Sequence, residues 1–159
     1  LGDSPLAMRL VLASLVAACS CRMIHPRVVG SSHSLQGYEP ERVADGNENT
    51  YWLVPGGQRM EAMSHDKWLI FDLGEERPLL GLSILGVVDS FAPARAVLEL
   101  GPSPEGPWRR VRRFRALGQL KWQHVTIDAP AARFCRMYIR REGHATFRHK
   151  VHGVVFHVS

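Results

Sequence analysis

Downstream of residue 26 the apolar residues of this chain fall into short runs broken by Gly, Pro, Asp and Asn, and no long stretch repeats them at helical spacing. Short runs bounded by turn formers read as β-strands. Eight candidates stand out, at residues 27–31, 67–73, 79–88, 96–100, 109–115, 122–127, 134–140 and 151–157. A sheet built from them has an apolar face that another layer must cover. The expected fold is therefore all-β, a sandwich of two packed sheets with jelly-roll connections. A length of 159 residues with 45% apolar content suits one domain with a substantial core.

Residues 10–21 stand apart. They run Leu-Val-Leu-Ala-Ser-Leu-Val-Ala-Ala-Cys-Ser-Cys, directly after Met8-Arg9. A membrane-spanning helix needs about 20 apolar residues, so this stretch is too short for one and suits a secretory h-region or a helix packed on protein. Val16-Ala17-Ala18-Cys19 also has the form of a bacterial lipoprotein cleavage box. The expected division is an apolar helical extension or targeting segment at 1–25 and a β-sandwich at 26–159. A retained extension would pack on the sandwich, on a membrane or on a neighbouring subunit. A chain starting at Leu1 is also what an upstream cleavage, or fragmentation, leaves behind.

Residues 45–52 read Asp-Gly-Asn-Glu-Asn-Thr-Tyr-Trp. Asp45-Gly46 is a turn signal, because Gly takes positive φ freely and Asp bonds its own backbone. A curled loop aims the oxygens of Asp45, Asn47 and Thr50 at one point, the donor chemistry of a hard cation such as Ca²⁺. Trp52 opens an apolar run that pins the loop to a core. Before this DGNxxTxW stretch stand Ser31-Ser32 and Gly37-Tyr38-Glu39-Pro40. After it come Trp68-Leu69-Ile70-Phe71-Asp72-Leu73-Gly74, Gly106-Pro107-Trp108, Ala132-Arg133-Phe134-Cys135-Arg136 and the closing apolar strand at 151–158. In that order these motifs resemble the discoidin family, also called coagulation factor V/VIII type C domains, over residues 26–158. A weaker likeness, to the small calcium-binding intraflagellar-transport subunit of the same fold, rests on the loop and on Val151-His152-Gly153-Val154.

The resemblance implies a galactose-binding-like jelly-roll sandwich whose loops at one end, here 32–40, 53–66 and 88–95, meet the ligand. Tyr38, Arg59, Phe91 and Arg95 are the candidate contacts, and aromatic residues to stack on a sugar are scarce there. It also implies a calcium site in which Asp45, Asn47 and Thr50 are joined by backbone carbonyls and often by a Glu on the last strand. This chain places His152 and Gly153 in that strand and has no acid after Glu142. Calcium binding and a self-bonded turn that only positions Trp52 stay open as alternatives. Compartment follows the N-terminal segment: an organellar or ciliary assembly if it is retained, a secreted or membrane-anchored protein if it is a cleaved signal.

Net charge is +5 with His neutral, which favours anionic partners. Arg109, Arg110, Arg112, Arg113 and Arg115 interleave with Trp108, Val111 and Phe114, giving a strand with an apolar side and a dense guanidinium side. Such forks grip carboxylates or phosphates bidentately; a solvated face is the plain alternative. No helix-turn-helix, stacking sheet or other reader motif accompanies them, which argues against nucleic acid. Cys19, Cys21 and Cys135 are too few for a disulfide framework, and Cys135 is expected as a buried thiol on a strand. Trp52, Trp68 and Trp108 are expected in the core. His149 and His152, three apart on a strand, face opposite ways and make no metal pair. No GxSxG, P-loop, GxGxxG or HExxH motif occurs, so nothing argues for catalysis. The expectation is a non-catalytic binding module, first of all an adaptor or accessory subunit held by other proteins in a larger assembly. The alternative is a secreted or surface module for glycan or anionic lipid, calcium-dependent if the loop takes the ion.

Overall fold

The computed structural model describes residues 20–54, 67–88, 94–116, 120–141 and 149–159. Within them, eight antiparallel strands form one continuous sheet: β1 (Arg22–Ile24), β2 (Arg27–Ser31), β3 (Trp52–Val54), β4 (Lys67–Val88), β5 (Ala94–Gly101), β6 (Arg109–Ala116), β7 (Trp122–Arg141) and β8 (His149–Val158). A 3-10 helix, Pro40–Ala44, precedes β3. The hydrogen-bonded order is β1-β8-β4-β7-β5-β6, with β2 added to β4 and β3 to β8.

One sheet makes two layers because its two longest strands bend in step. In β4, Gly74 sits at φ 87°, a left-handed conformation that glycine takes without a Cβ clash. The pairing of β4 with β7 shifts register repeatedly between Asp72 and Gly81. On β7 the facing stretch holds Pro130, which has no N–H to give the ladder. Before the bend β4 pairs with β2, and after it with β8. The sequence reading split β4 and β7 into two strands each. Their breakers fall opposite one another on paired strands, so they bend the ladder instead of ending it. The three-residue strands β1 and β3 are too short to stand out as runs. β1 also carries the sheet back to Arg22, inside the segment set apart at 1–25, whose residues 1–19 lie outside the described residues.

Alternation sends Leu69, Phe71, Leu98, Leu100, Cys135, Met137 and Ile139 inward from one layer, and Leu82, Ile84, Val125, Ile127, Val154 and Phe156 from the other. Phe71 meets Phe156 edge to face at 5.3 Å between centroids, so the layers close directly on each other. Each such side chain stabilises the fold by about 1.5–3 kcal/mol on leaving water. Trp52 is fully buried, and its Nε1 donates to the His33 carbonyl at 2.9 Å, which pairs the one polar atom it takes inside. Cys135 is buried, as expected, and burial pushes its thiol pKa up.

At the corner, Asp72 is only 4% exposed. It accepts Arg133 Nε and Nη2 at 2.9 and 3.0 Å, Arg27 Nη2 at 2.9 Å and the Gly74 N–H at 2.8 Å. A buried carboxylate survives only when paired this fully. The Arg133 bonds, foremost, hold its carboxyl well below the usual range against the opposing effect of burial. This one side chain ties β2, β4 and β7 together where the sheet turns.

Candidate ligand-binding site

Strand ends gather at one end of the sandwich: Val54 pairs with His149, Val88 with Lys150, Lys67 with Ile139 and Ala94 with Arg141. Tyr38, 37% exposed, stands beside β3 in a turn closed by its N–H to the Leu35 carbonyl at 2.9 Å. Glu39 fixes that turn, its carboxylate accepting the Gly37 N–H at 2.7 Å and Arg42 Nε at 2.9 Å. Its own backbone N–H first, then these two donors, hold the Glu39 carboxyl down to about 2.

From Tyr38 a row of side chains runs across the second layer. Tyr38 stacks on Tyr51 at 5.1 Å, Tyr51 meets the His152 ring at 5.0 Å, and Lys150 Nζ lies 5.1 Å from the Tyr51 centroid. His152 Nδ1 donates to the Glu48 carbonyl at 2.9 Å. The Glu48 carboxylate in turn accepts the Trp122 Nε1–H at 2.8 Å. Trp122, 39% exposed, lies across Gly153, where a Cβ would come within 2.6 Å of its ring. Exposed aromatic faces, a carboxylate and an ammonium thus share one surface.

The loop between Asp45 and Thr50 closes on itself. Asp45 Oδ1 accepts the Asn47 N–H at 2.8 Å, and Asn47 Oδ1 accepts the Asn49 N–H at 3.0 Å. Thr50 Oγ1 shares its proton between Asp45 Oδ2 at 2.6 Å and the Asn47 carbonyl at 2.8 Å. Thr50 Oγ1 thus meets the Asp45 carboxylate and the Asn47 backbone carbonyl, while the Asn47 side chain turns to Asn49. Calcium is held by about six to eight oxygens. This turn offers two carboxylates, Asp45 accepting two hydrogen bonds and Glu48 accepting Trp122 Nε1, and the described residues hold no cluster of three or more His, Cys, Asp or Glu fit for a metal. In the last strand His152 donates to the loop backbone instead of supplying an oxygen. As it stands, the turn positions Glu48 against Trp122 and His152.

A groove of about 640 Å³ lies on the outer face of the other layer, lined chiefly by Arg95 and Glu99 of β5, Arg110, Arg113 and Arg115 of β6, and Tyr138 of β7. Arg110 and Arg113 are three apart and on a regular strand would face opposite ways. They share a face because β6 carries one residue too many: Leu98 pairs with Arg112 and Glu99 with Arg110, leaving Val111 as a bulge. Arg112, opposite the core residue Leu98, falls on the other side of the strand. Arg109 lines a separate recess with Arg133. In the groove, Glu99 is ion-paired to Arg136 at 2.7 Å. The Arg136 guanidinium lies over the rings of Trp108 and Tyr138, 4.7 and 4.5 Å from their centroids.

Of the other predicted contacts, Arg59 and Phe91 lie outside the described residues. Arg95 does not join Tyr38 at a loop; it stands on β5 opposite Arg115, inside the groove. Trp68 and Trp108 are half-buried covers, not core: Trp68 packs on Gly30, and Trp108 on Gly101 and Gly106. His157 sits outside the core beside Ser83, Nε2 to Oγ 2.8 Å, and edge-on to His124 at 4.7 Å. Desolvation first, then the His124 charge, lower its pKa. Sequence reasoning missed Tyr51, Lys150, His152 and Trp122 as site residues, since the only cue in the chain was the Tyr51-Trp52 pair closing the loop.

An antiparallel jelly-roll sandwich of this topology is the galactose-binding-like fold. The chain belongs to the F5/8 type C domain family, whose model matches residues 28–151. Among solved structures, a family 32 carbohydrate-binding module from a family 31 glycoside hydrolase of Clostridium perfringens aligns with a TM-score of 0.70 at 15% identity, over 85% of this chain and 92% of that one. The family 32 module of AlyQ, in complex with 4,5-unsaturated mannuronic acid, aligns with a TM-score of 0.66 at 18% identity, over 85% and 97%. The family 32 module of C. perfringens NanJ, in complex with galactose, has a TM-score of 0.62 at 14% identity, over 86% and 93%. At these identities the likeness establishes the fold. No curated protein matches the chain.

Proposed function

We propose that this chain is a non-catalytic carbohydrate-binding module that meets its glycan at the Tyr38–Tyr51–His152 row. The observation that carries this is the row itself: stacked rings, one more than a third exposed, with Lys150 and Glu48 beside them. A sugar offers an apolar C–H face and a rim of hydroxyls, and a site with aromatic faces and a few placed polar groups suits both. The neighbours solved with galactose and with unsaturated mannuronic acid support the same ligand class. The sequence favoured a protein adaptor partly because loop aromatics looked scarce. Folding supplies them from distant strands, so glycan binding moves ahead of that role. A protein partner is the second choice, favoured by β6, which among the described residues is a sheet edge paired on one side only. The proposal needs no calcium, because it uses the self-bonded turn at Asp45 only to position Glu48.

Isothermal titration against galactosides and oligouronates, in calcium and in chelator, tests it. Tyr38→Ala and Tyr51→Ala are expected to weaken binding about tenfold or more, the range of a lost aromatic contact, with no calcium dependence. Binding untouched by both substitutions, or absent for every glycan while another protein co-purifies in fixed ratio, would replace the glycan role with the adaptor role.

A further inference from the structure

We propose that the arginine groove on β5, β6 and β7 is a second binding site, one that takes a carboxylated polysaccharide. This shares a ligand class with the function proposed above but not its site. At about 640 Å³ the groove falls within the usual range for ligand sites, about 300–1,000 Å³. Arg95, Arg110, Arg113 and Arg115 line it, and its one carboxylate, Glu99, is matched by Arg136. The lining therefore carries four arginines and one carboxylate, and that carboxylate is already matched. The side chains of Arg110 and Arg113 have no hydrogen-bond or ion-pair partner among the described residues, so their forks are available to an incoming anion. The bulge at Val111 is what brings the two to one face, and a bulge that re-aims side chains commonly marks a functional edge.

The lining selects among anions. Val97, Phe114 and Tyr138 give apolar surface between the arginines, so a ligand must alternate apolar faces with charge. A chain of uronic acid residues does so, each ring carrying C–H faces and one planar carboxylate that a guanidinium fork can hold bidentately. Single-stranded nucleic acid wants a series of open aromatic faces, whereas of the two rings lining the groove Phe114 packs against the core and Tyr138 lies under Arg136. A bilayer presents its headgroups as a plane, which a concave groove meets only at its rims.

The test uses the full chain and sodium polygalacturonate, with dextran sulfate, poly-glutamate, single-stranded DNA and phosphatidylserine vesicles as competitors at fixed ionic strength. The doubly substituted Arg110→Ala/Arg113→Ala chain is expected to lose polygalacturonate binding by about tenfold or more, as two charge-assisted bonds are removed. The Arg110→Lys/Arg113→Lys chain, with charge kept and the fork removed, is expected to fall between that and the unaltered chain. Galactoside binding should survive both changes, which separates this site from the aromatic row. Both residues are exposed, and matching thermal midpoints establish that the variants fold. Three results overturn the proposal: polygalacturonate binding unchanged by the alanine pair, full binding by the lysine pair, or a competitor that binds more tightly than polygalacturonate.

Discussion

Asp72 shows how one residue is read against its surroundings. Its partners Arg27 and Arg133 are half or more exposed, at 74% and 47% of their side chains, so solvent takes them back when the carboxylate is removed. Asp72→Asn is therefore expected to cost about 2 kcal/mol at neutral pH, the scale of hydrogen bonds to a charged group, and not the larger cost of breaking a wholly buried pair. Because the folded carboxyl is held below its ordinary value, its contribution is complete above the unfolded pKa of about 3.9. It is lost as pH falls through the lower folded value. Urea titrations should show the gap between Asp72→Asn and the unaltered chain narrowing below pH about 4; a gap that persists unchanged there would refute the assignment. At this scale the chain was partly legible. The turn from Asp45 to Thr50 could be read because its members lie within a few residues of each other, whereas the Arg27–Asp72–Arg133 contact spans distant segments.

Strands carry what no single residue does. On β8, Gly153 lets the Trp122 ring lie flush, with Leu85 behind it at 3.4 Å from a would-be Cβ. In Gly153→Ala the ring has to leave and gives up its bond to Glu48. The expected result is a loss of about 1–3 kcal/mol, the scale of an overpacked contact, a red shift of tryptophan emission and weaker galactoside binding. An unchanged spectrum would mean that Trp122 is not seated there. The same scale explains why the arginine face was misread in detail. Simple alternation treats Arg109 to Arg115 as a single dense side, but the bulge at Val111 groups Arg110, Arg113 and Arg115 and sends Arg112 across. Likewise Gly74 and Pro130 fall in the gaps between the runs at 67–73 and 79–88 and at 122–127 and 134–140, and a breaker looks the same in sequence whether its partner strand bends with it or stops.

The two layers stand or fall together through Phe71 and Phe156. Each phenylalanine is fully buried, so replacing either with alanine should cost about 3–5 kcal/mol. A double-mutant cycle between them should give a coupling of about 0.5–1.5 kcal/mol; additive losses would mean that the layers do not meet there. By itself the sequence determined the all-β class, the chain order of most strands and the self-closing turn at Asp45. Alternation, turn chemistry and spacing act between near neighbours, so they are written in local order. Only the tertiary structure decided which distant side chains share a surface. Tyr38, Tyr51, His152 and Trp122 meet because β3, β7 and β8 are brought into register, and four arginines share one groove because a single residue of β6 goes unpaired. Strand register is settled by the whole sheet burying its apolar face at once, and no local stretch of the chain contains that information.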